Sequence, residues 1–195
     1  MFKVIVGPVK ASKSKALIDR YLASDKTVLY SAKASQCEGY QIKSRGHEIH
    51  VQSQPISNMI EILCYSQSQT KTILIDEIQF INVSHEELRT ILTTLDEVNI
   101  DLIVYGLDMD YTGKPFPTTA LCMAMADEVI KMNGYCDICG HEKSTMSLRC
   151  RNGKPVDTMI ESELIALDNS DEITYKSVCR HCYDEANMIY STQEL

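Results

Sequence analysis

The sequence predicts an α/β protein with a three-layer core built on a mostly parallel sheet, followed by a second, smaller domain. Up to Met132, short apolar segments alternate with helical patterns, which is the order of right-handed βαβ units. The segments 72–75 and 102–105 are uninterrupted apolar runs, as expected of parallel strands that are covered on both faces. After Met132 the chain changes to short strands, turns and two C-x-x-C pairs.

The predicted elements begin and end where the apolar runs and the helical periodicity do. We predict strands at 2–6, 27–31, 48–51, 72–75, 102–105 and 128–131, and helices at 14–22, 56–65, 85–97 and 118–126. In sheets of this kind, ligands bind outside the carboxyl ends of the strands. We therefore predict an α/β domain with a ligand site at this edge over residues 1–132, and a second domain with a C-terminal tail over residues 133–195.

Length, composition and charge limit the possible functions. The 195 residues are 44% hydrophobic, which is enough for one core of moderate size and an appendage. The net charge of −8 argues against non-specific binding of nucleic acid polymers, because phosphate backbones select basic faces. No apolar run approaches the ~20 residues that span a bilayer, and the segment 2–6 is too short for a signal peptide core. We expect a soluble, cytoplasmic protein.

The segment after the first predicted strand has the spacing of a phosphate-binding loop, G-x-x-x-x-G-K-[ST]. This phosphate loop consists of Gly7, Pro8, Val9, Lys10, Ala11, Ser12, Lys13 and Ser14, with Ser12 in the place of the second glycine. Backbone N–H groups at the start of the following helix attract phosphate, Lys13 would reach the β- and γ-phosphates, and Ser14 would bind Mg²⁺. The alternative is a plain strand–turn–helix in which the lysine and the serine only cap the helix.

Two adjacent carboxylates follow the apolar strand at 72–75. Asp76 stands where an acid would hold the Mg²⁺ that accompanies a nucleotide, and Glu77 comes directly after it. An Asp-Glu pair after a strand can also be a solvated turn. Together with the phosphate loop, in this order, the pair favours nucleotide phosphate chemistry.

The eight cysteines indicate a metal site rather than disulfides. Two C-x-x-C pairs, Cys136 with Cys139 and Cys179 with Cys182, have the spacing of paired zinc knuckles. Four thiolates leave no open coordination position, so we expect the Zn²⁺ to be structural. His181 is a possible substitute ligand, and a redox pair or chance spacing is the alternative. The remaining cysteines are expected to be ordinary, mostly buried thiols: Cys37, Cys64, Cys122 and Cys150.

These motifs and three further segments resemble the type II thymidine kinase family over nearly the whole chain. The segments are Asp76-Glu77-Ile78-Gln79-Phe80, Gly106-Leu107-Asp108 with Gly113-Lys114-Pro115-Phe116, and Tyr175-Lys176-Ser177-Val178-Cys179-Arg180. The resemblance implies phosphoryl transfer from ATP to the 5′-hydroxyl of thymidine or a close deoxyuridine analogue. It also implies a RecA-like P-loop core, a zinc-bearing lasso that closes over the nucleoside, a homotetramer and feedback inhibition by dTTP.

The resemblance also assigns roles to residues. Glu77 resembles the general base that takes the proton from the nucleoside 5′-hydroxyl, while Asp76 holds Mg²⁺. The residues that resemble the nucleoside site are Gln79, Phe80, Leu107, Tyr111, Phe116, and in the lasso Ser147 and Tyr175. Each apolar residue among them could equally be part of the core, and Glu77 could be merely solvated.

Several positions depart from the family pattern. Ser12 replaces the loop glycine, Val9 stands where methionine is common, and Ala166–Leu167 stands where the lasso has two glycines. The segment 34–38 lacks an Asp-x-Arg pattern, although Ser44-Arg45 follows later, with an arginine that could approach the phosphates or be solvated. Two hypotheses therefore stay open: an active deoxynucleoside kinase, and a divergent relative that binds nucleotide as a regulator.

Overall fold

The computed structural model describes residues 1–34, 40–43, 49–65, 69–140, 143–157 and 172–191. The chain forms two compact units. The unit that we call the sheet unit contains Met1–Val6, Ser12–Asp108 and Phe116–Lys131. The other, which we call the ribbon unit, contains Gly7–Ala11, Met109–Pro115 and Met132–Leu195. The division into domains 1–132 and 133–195 stays a prediction.

The sheet unit is built on six parallel strands, which confirms the predicted fold class. The strands are β1 (Phe2–Val6), β2 (Thr27–Ala32), β5 (Gln54–Ile56), β6 (Thr72–Asp76), β7 (Asp101–Gly106) and β8 (Glu128–Lys131). Their order across the sheet is β5-β2-β6-β7-β1-β8, and every neighbouring pair is parallel. The carboxyl ends of β1, β6 and β7 therefore meet at one edge of the sheet.

Helices cover both faces of this sheet. The helices of the unit are α1 (Lys13–Leu22), α2 (Ile62–Tyr65), α3 (His85–Glu97) and α4 (Pro117–Met125). On β6, Ile73 and Ile75 belong to an apolar cluster with Leu88 of α3, whereas Leu74 points to the opposite face, where α1 contacts the strand. Because both faces are buried, β6 is apolar between Thr72 and Asp76, and β7 is apolar between Asp101 and Gly106, as expected of covered parallel strands.

The predicted helix at 56–65 is wrong in its first half. Residues Gln54–Ile56 pair with β2 as the edge strand β5, and a 3-10 turn at Met59–Glu61 precedes α2. The reason is the extended backbone of Asn58, whose side chain accepts a hydrogen bond from the Ile60 N–H while Glu61 bonds back to it. This capping box fixes where helical structure can begin, so the apolar pattern alone gave too early a start.

The predicted strand at 48–51 also differs from the structure. The structure has the strand β4 at His50–Gln52, and β4 pairs with β3 (Gln41–Lys43) in a separate antiparallel sheet. Glu48 lies outside the described residues. The predicted helix at 118–126 and the predicted strands of the central sheet agree with the structure to within one residue at each end.

The ribbon unit contains a three-stranded antiparallel sheet and a helix. The strands β9 (Met146–Arg151), β10 (Lys154–Pro155) and β11 (Ile173–Val178) have the order β10-β9-β11, and helix α5 (Arg180–Ser191) follows. Sequence analysis did not predict α5. It packs through Tyr183 and Ala186 against a small core that includes Leu148 and Val178. None of the helices in the described part of the chain is long and apolar enough to cross a membrane.

Candidate active site and metal centre

The phosphate loop leads from β1 into α1 through strained backbone. Ser12 is the N-cap of α1 and has a left-handed conformation with φ 61° and ψ 21°, and its side chain caps no N–H group. The Ser12 carbonyl accepts the first helical bond from the Ala16 N–H at 3.1 Å. Lys13 and Ser14 open the helix and are half-buried. Glycine is favoured at such a position because a Cβ is costly in left-handed backbone.

The first half of the loop, Gly7–Ala11, belongs to the ribbon unit. Gly7 has φ 155°, and a Cβ added there would overlap the carbonyl oxygen of Met132, so only glycine fits. The Val9 N–H donates to the Ser147 hydroxyl at 3.1 Å, and the Lys10 ammonium donates to the Asp137 carboxylate at 2.7 Å. Pro8 and Ala11 are buried. The backbone of the loop is thus held by side chains that sequence analysis did not connect with it.

The paired carboxylates lie at the end of β6 in two different environments. Asp76 is buried and accepts a hydrogen bond from the Glu77 N–H at 3.0 Å, whereas Glu77 is half-buried. Burial, and then the neighbouring Glu77 carboxylate, raises the pKa of Asp76 to about 8, while Lys13 acts in the opposite direction. A buried carboxylate with a raised pKa gains stability from a nearby cation, because the cation favours its charged form. The chemistry of this group fits a divalent metal ligand.

Glu77 is held in place by a short chain of hydrogen bonds. Its backbone is left-handed, with φ 55° and ψ 44°, a conformation that functional sites often contain. The Gln79 amide donates to the Glu77 carboxylate through Nε2 and accepts from the Leu107 N–H at 3.0 Å. A Cβ added at Gly106 would lie 2.7 Å from the Ile78 Cγ2, so glycine is required for this close approach.

Besides Gln79, three of the predicted nucleoside-site residues lie in the sheet unit. The rings of Phe80 and Phe116 make an edge-to-face contact, with centroids 6.1 Å apart and an interplanar angle of 79°. Both rings are half-buried, as is Leu107, which follows β7. The Phe116 N–H donates to the carbonyl of Asp108 at 3.1 Å, which fixes the turn between β7 and α4. An apolar surface thus stands at the same end of the sheet as the carboxylates.

The other predicted nucleoside-site residues lie in the ribbon unit. Tyr111 is buried, and the guanidinium of the fully buried Arg149 lies 5.0 Å from the centre of its ring. Ser147 shares the face of β9 with Arg149, and Tyr175 on β11 stands directly opposite Arg149. The Tyr183 hydroxyl donates to the Tyr111 carbonyl at 2.7 Å. Sequence analysis missed Arg149, because β9 also contains Ser147 and the exposed Arg151, and its residue pattern does not distinguish the buried arginine from the exposed one.

The four predicted zinc ligands come together in the ribbon unit. The Sγ atoms of Cys136, Cys139, Cys179 and Cys182 all lie within 4.8 Å of one another. The Cys139 and Cys179 sulfurs are 3.8 Å apart, which equals the spacing of about 3.8 Å expected for thiolates bound tetrahedrally to zinc. The cluster is compatible with a structural Zn²⁺.

Backbone N–H groups close the first knuckle and donate to sulfur in the second. Gly140, at φ 74°, donates its N–H to the Cys136 carbonyl at 2.9 Å, and the Cys182 N–H donates to the Cys179 sulfur at 3.5 Å. Burial alone would raise the pKa of Cys136, but N–H groups of Cys139, Cys179 and Ile138 together lower it to about 6. This thiol is therefore ready to lose its proton to a metal.

His181, the possible substitute ligand, does not belong to the cysteine cluster. It is exposed, and its Nε2 lies 3.3 Å from the Glu185 carboxylate. Cys122 and Cys150 are buried and Cys64 is exposed. Cys37, Ser44, Arg45 and Ala166–Leu167 lie outside the described residues.

Comparison with known proteins identifies the family. The family model for thymidine kinase matches residues 1–183. The chain belongs to the thymidine kinase family. It is 26% identical over 186 residues to a thymidine kinase of Pseudothermotoga lettingae, covering 93% of this chain and 94% of that protein. It is 30% identical over 197 residues to a thymidine kinase of Ureaplasma urealyticum serovar 10, and this match covers 96% of this chain and 84% of that protein. Family membership makes this protein a kinase, as the sequence resemblance implied.

We predict that the purified protein contains about one zinc per chain. The change Cys179→Ser removes one of four thiolates, so zinc should fall to near zero and the ribbon unit should become protease-sensitive before the sheet unit unfolds. Metal analysis under reducing conditions and limited proteolysis measure both effects. Cys64→Ser is the matched control, because Cys64 is an exposed cysteine outside the cluster. A parent protein without zinc would overturn the prediction.

We also predict that Ser12→Gly stabilises the protein. Removal of the Cβ from left-handed backbone should raise the free energy of unfolding by about 1 kcal/mol. Urea denaturation measures the change. Ser24→Gly is the control, because Ser24 lacks a positive φ and should gain nothing. Equal effects of the two changes would show that Ser12 is not strained.

Proposed function

We propose that this protein transfers the γ-phosphoryl group of ATP to the 5′-hydroxyl of thymidine or a close deoxyuridine analogue. The observation that carries the proposal is the group formed by Lys13, Asp76 and Glu77 in the sheet unit, where the lysine charge acts on a buried carboxylate next to a second acid. Phosphoryl transfer needs three groups together. A cation binds the phosphates, one carboxylate binds the metal ion, and a second carboxylate accepts the proton of the attacking hydroxyl. Two relatives named thymidine kinase support the choice of substrate.

The N-terminus of α1 supplies the phosphate-binding groups in this proposal. Lys13 opens the helix, so that its charge and the backbone N–H groups of the first turn would meet the β- and γ-phosphates. The Ser14 hydroxyl and the Asp76 carboxylate would hold Mg²⁺. When bound, Mg²⁺ neutralises charge on the phosphoryl group that is transferred.

Glu77 is our candidate for the general base. It is half-buried, so it remains accessible to a nucleoside hydroxyl, and its hydrogen bond from Gln79 limits the directions in which the carboxylate can point. A positioned base needs this fixed geometry, because proton transfer requires a carboxylate within about 3 Å of the hydroxyl. Gln79 is therefore a positioning residue, and its second hydrogen bond, from the Leu107 N–H, ties it to the end of β7.

We assign contact with the base to the ring pair Phe80 and Phe116, together with Leu107. Half-buried aromatic rings offer flat apolar surface, on which a pyrimidine can stack. The roles of Tyr111, Ser147 and Tyr175 in a lasso are predictions that rest on the family resemblance.

The resemblance also leads us to propose a homotetramer, feedback inhibition by dTTP and a cytoplasmic location. A four-thiolate zinc site is typical of a reducing compartment, which supports the location. A monomer in light scattering at micromolar concentration would contradict the tetramer, and full activity at dTTP levels that saturate binding would contradict feedback inhibition.

A divergent, nucleotide-binding regulator is the second candidate. The left-handed Ser12 favours it, because a strained phosphate loop would weaken nucleotide binding and turnover. A coupled assay of ATP consumption with a panel of deoxynucleosides separates the two. Turnover with thymidine supports the kinase, whereas nucleotide binding without turnover supports the regulator.

We predict that Glu77→Gln lowers kcat by roughly 10²- to 10⁴-fold, which is the usual contribution of a positioned base, and leaves ATP and thymidine affinity close to that of the parent. Lys13→Ala should instead weaken ATP binding and turnover together, because its charge meets phosphate in the ground state and in the transition state. Thymidine phosphorylation and calorimetric binding measure these effects.

Glu97→Gln serves as the control for the loss of an acid, since Glu97 is exposed at the end of α3. Glu77→Gln activity within a factor of a few of the parent would remove Glu77 from the mechanism.

A further inference from the structure

Two consecutive residues of the phosphate loop are bonded to the zinc-binding part of the ribbon unit. The Val9 N–H donates to the hydroxyl of Ser147, which is buried on β9, and the Lys10 ammonium donates to the carboxylate of Asp137. Asp137 is the residue directly after Cys136 in the first C-x-x-C knuckle. A side chain within the metal knuckle therefore binds the loop that family membership associates with ATP phosphates.

The position of Asp137 is fixed by more than the ion pair. Its carboxylate also accepts from the Ser177 N–H at 2.9 Å, and its own N–H donates to the Ser177 carbonyl at 2.7 Å. The Ser177 hydroxyl in turn donates to the buried Ser144 hydroxyl at 2.7 Å. Asp137 thus lies inside the first knuckle and is bonded to Ser177, which precedes the second knuckle by two residues.

Lys10 needs such support. Its backbone is left-handed, with φ 60°, a conformation that a non-glycine residue keeps only when its surroundings hold it there. The carboxylate of Asp137 receives the Lys10 ammonium at 2.7 Å while a backbone N–H holds the same oxygen. A carboxylate that is already fixed loses less side-chain entropy on pairing than one at a mobile surface site.

We propose that Lys10 and Asp137 are positioning residues that hold the phosphate loop on the zinc knuckle, so that nucleotide affinity and zinc retention are coupled. The proposal rests on the proposed function, since it concerns the binding of Mg²⁺-ATP to this loop. The reciprocity of coupling requires that zinc loss weakens ATP binding and that bound ATP slows zinc loss.

A direct contact between Lys10 and phosphate is the competing role, and single variants separate the two. If Lys10 contacts phosphate, Asp137→Asn releases the Lys10 ammonium from its ion pair and should tighten ATP binding, whereas Lys10→Met should weaken ATP binding. If the pair positions the loop, both changes weaken ATP binding, and the double variant is no weaker than either single one. We expect about a two- to fivefold rise in the Kd for ATP in all three, which is the range of a partly exposed ion pair.

Arg151→Met with Glu172→Gln is the matched control, as it removes another exposed ion pair of the ribbon unit, 3.7 Å long, outside the phosphate loop. The ATP Kd should be unchanged in this control.

Zinc release supplies a measurement that does not depend on activity. In the parent, saturating Mg²⁺-ATP should slow the release of zinc to a chromogenic chelator, and this protection should be lost in Lys10→Met and in Asp137→Asn. A parent that phosphorylates thymidine but shows no ATP effect on zinc release, or retains full ATP affinity in both variants, overturns this inference alone. A parent that binds ATP without phosphorylating thymidine overturns the proposed function instead.

Discussion

Parallel pairing of β1, β6 and β7 is the constraint on which the candidate active site depends. In a parallel sheet all carboxyl ends lie at one edge, so residues that are distant in sequence become neighbours there. Lys13 follows β1, and Asp76 ends β6. Their electrostatic interaction, which acts on the pKa of Asp76, is a direct consequence of strand order. The local backbone at Lys13 and Asp76 then only determines the direction of each side chain at that edge.

Several residues at this edge of the sheet lower the stability of the folded protein. Ser12 and Glu77 have left-handed backbone without being glycine, and Asp76 is a carboxylate without a full counter-charge in a buried position. Each arrangement costs free energy that the apolar central strands supply. A nearby cation would offset the cost at Asp76, because it favours the charged carboxylate. This cost is therefore consistent with the Mg²⁺ that we propose for this group.

The ribbon unit meets a different constraint, which is its small size. Its apolar core includes Leu148, Val178 and two of the cysteines themselves, so a four-thiolate metal site is continuous with the packing. The knuckles also provide backbone N–H groups that lower the pKa of Cys136. Zinc bound by these cysteines would therefore link metal binding to folding. Asp137 extends this link to Lys10, because it stands inside one knuckle and pairs with the phosphate loop.

The sequence by itself determined five of the six strands of the central sheet, the four-cysteine cluster and the thymidine kinase family. Apolar runs and C-x-x-C spacing are local signals, and the order of the motifs can be read along the chain. It could not give the edge strand β5 or the true start of α2, since strand pairing and the capping box of Asn58 decided them. Nor could it give the partners of Lys10 and Glu77. The contact of Lys10 with Asp137 joins positions that are far apart in sequence, and the contact of Glu77 with Gln79 depends on the left-handed backbone of Glu77. Both are formed only in the tertiary structure.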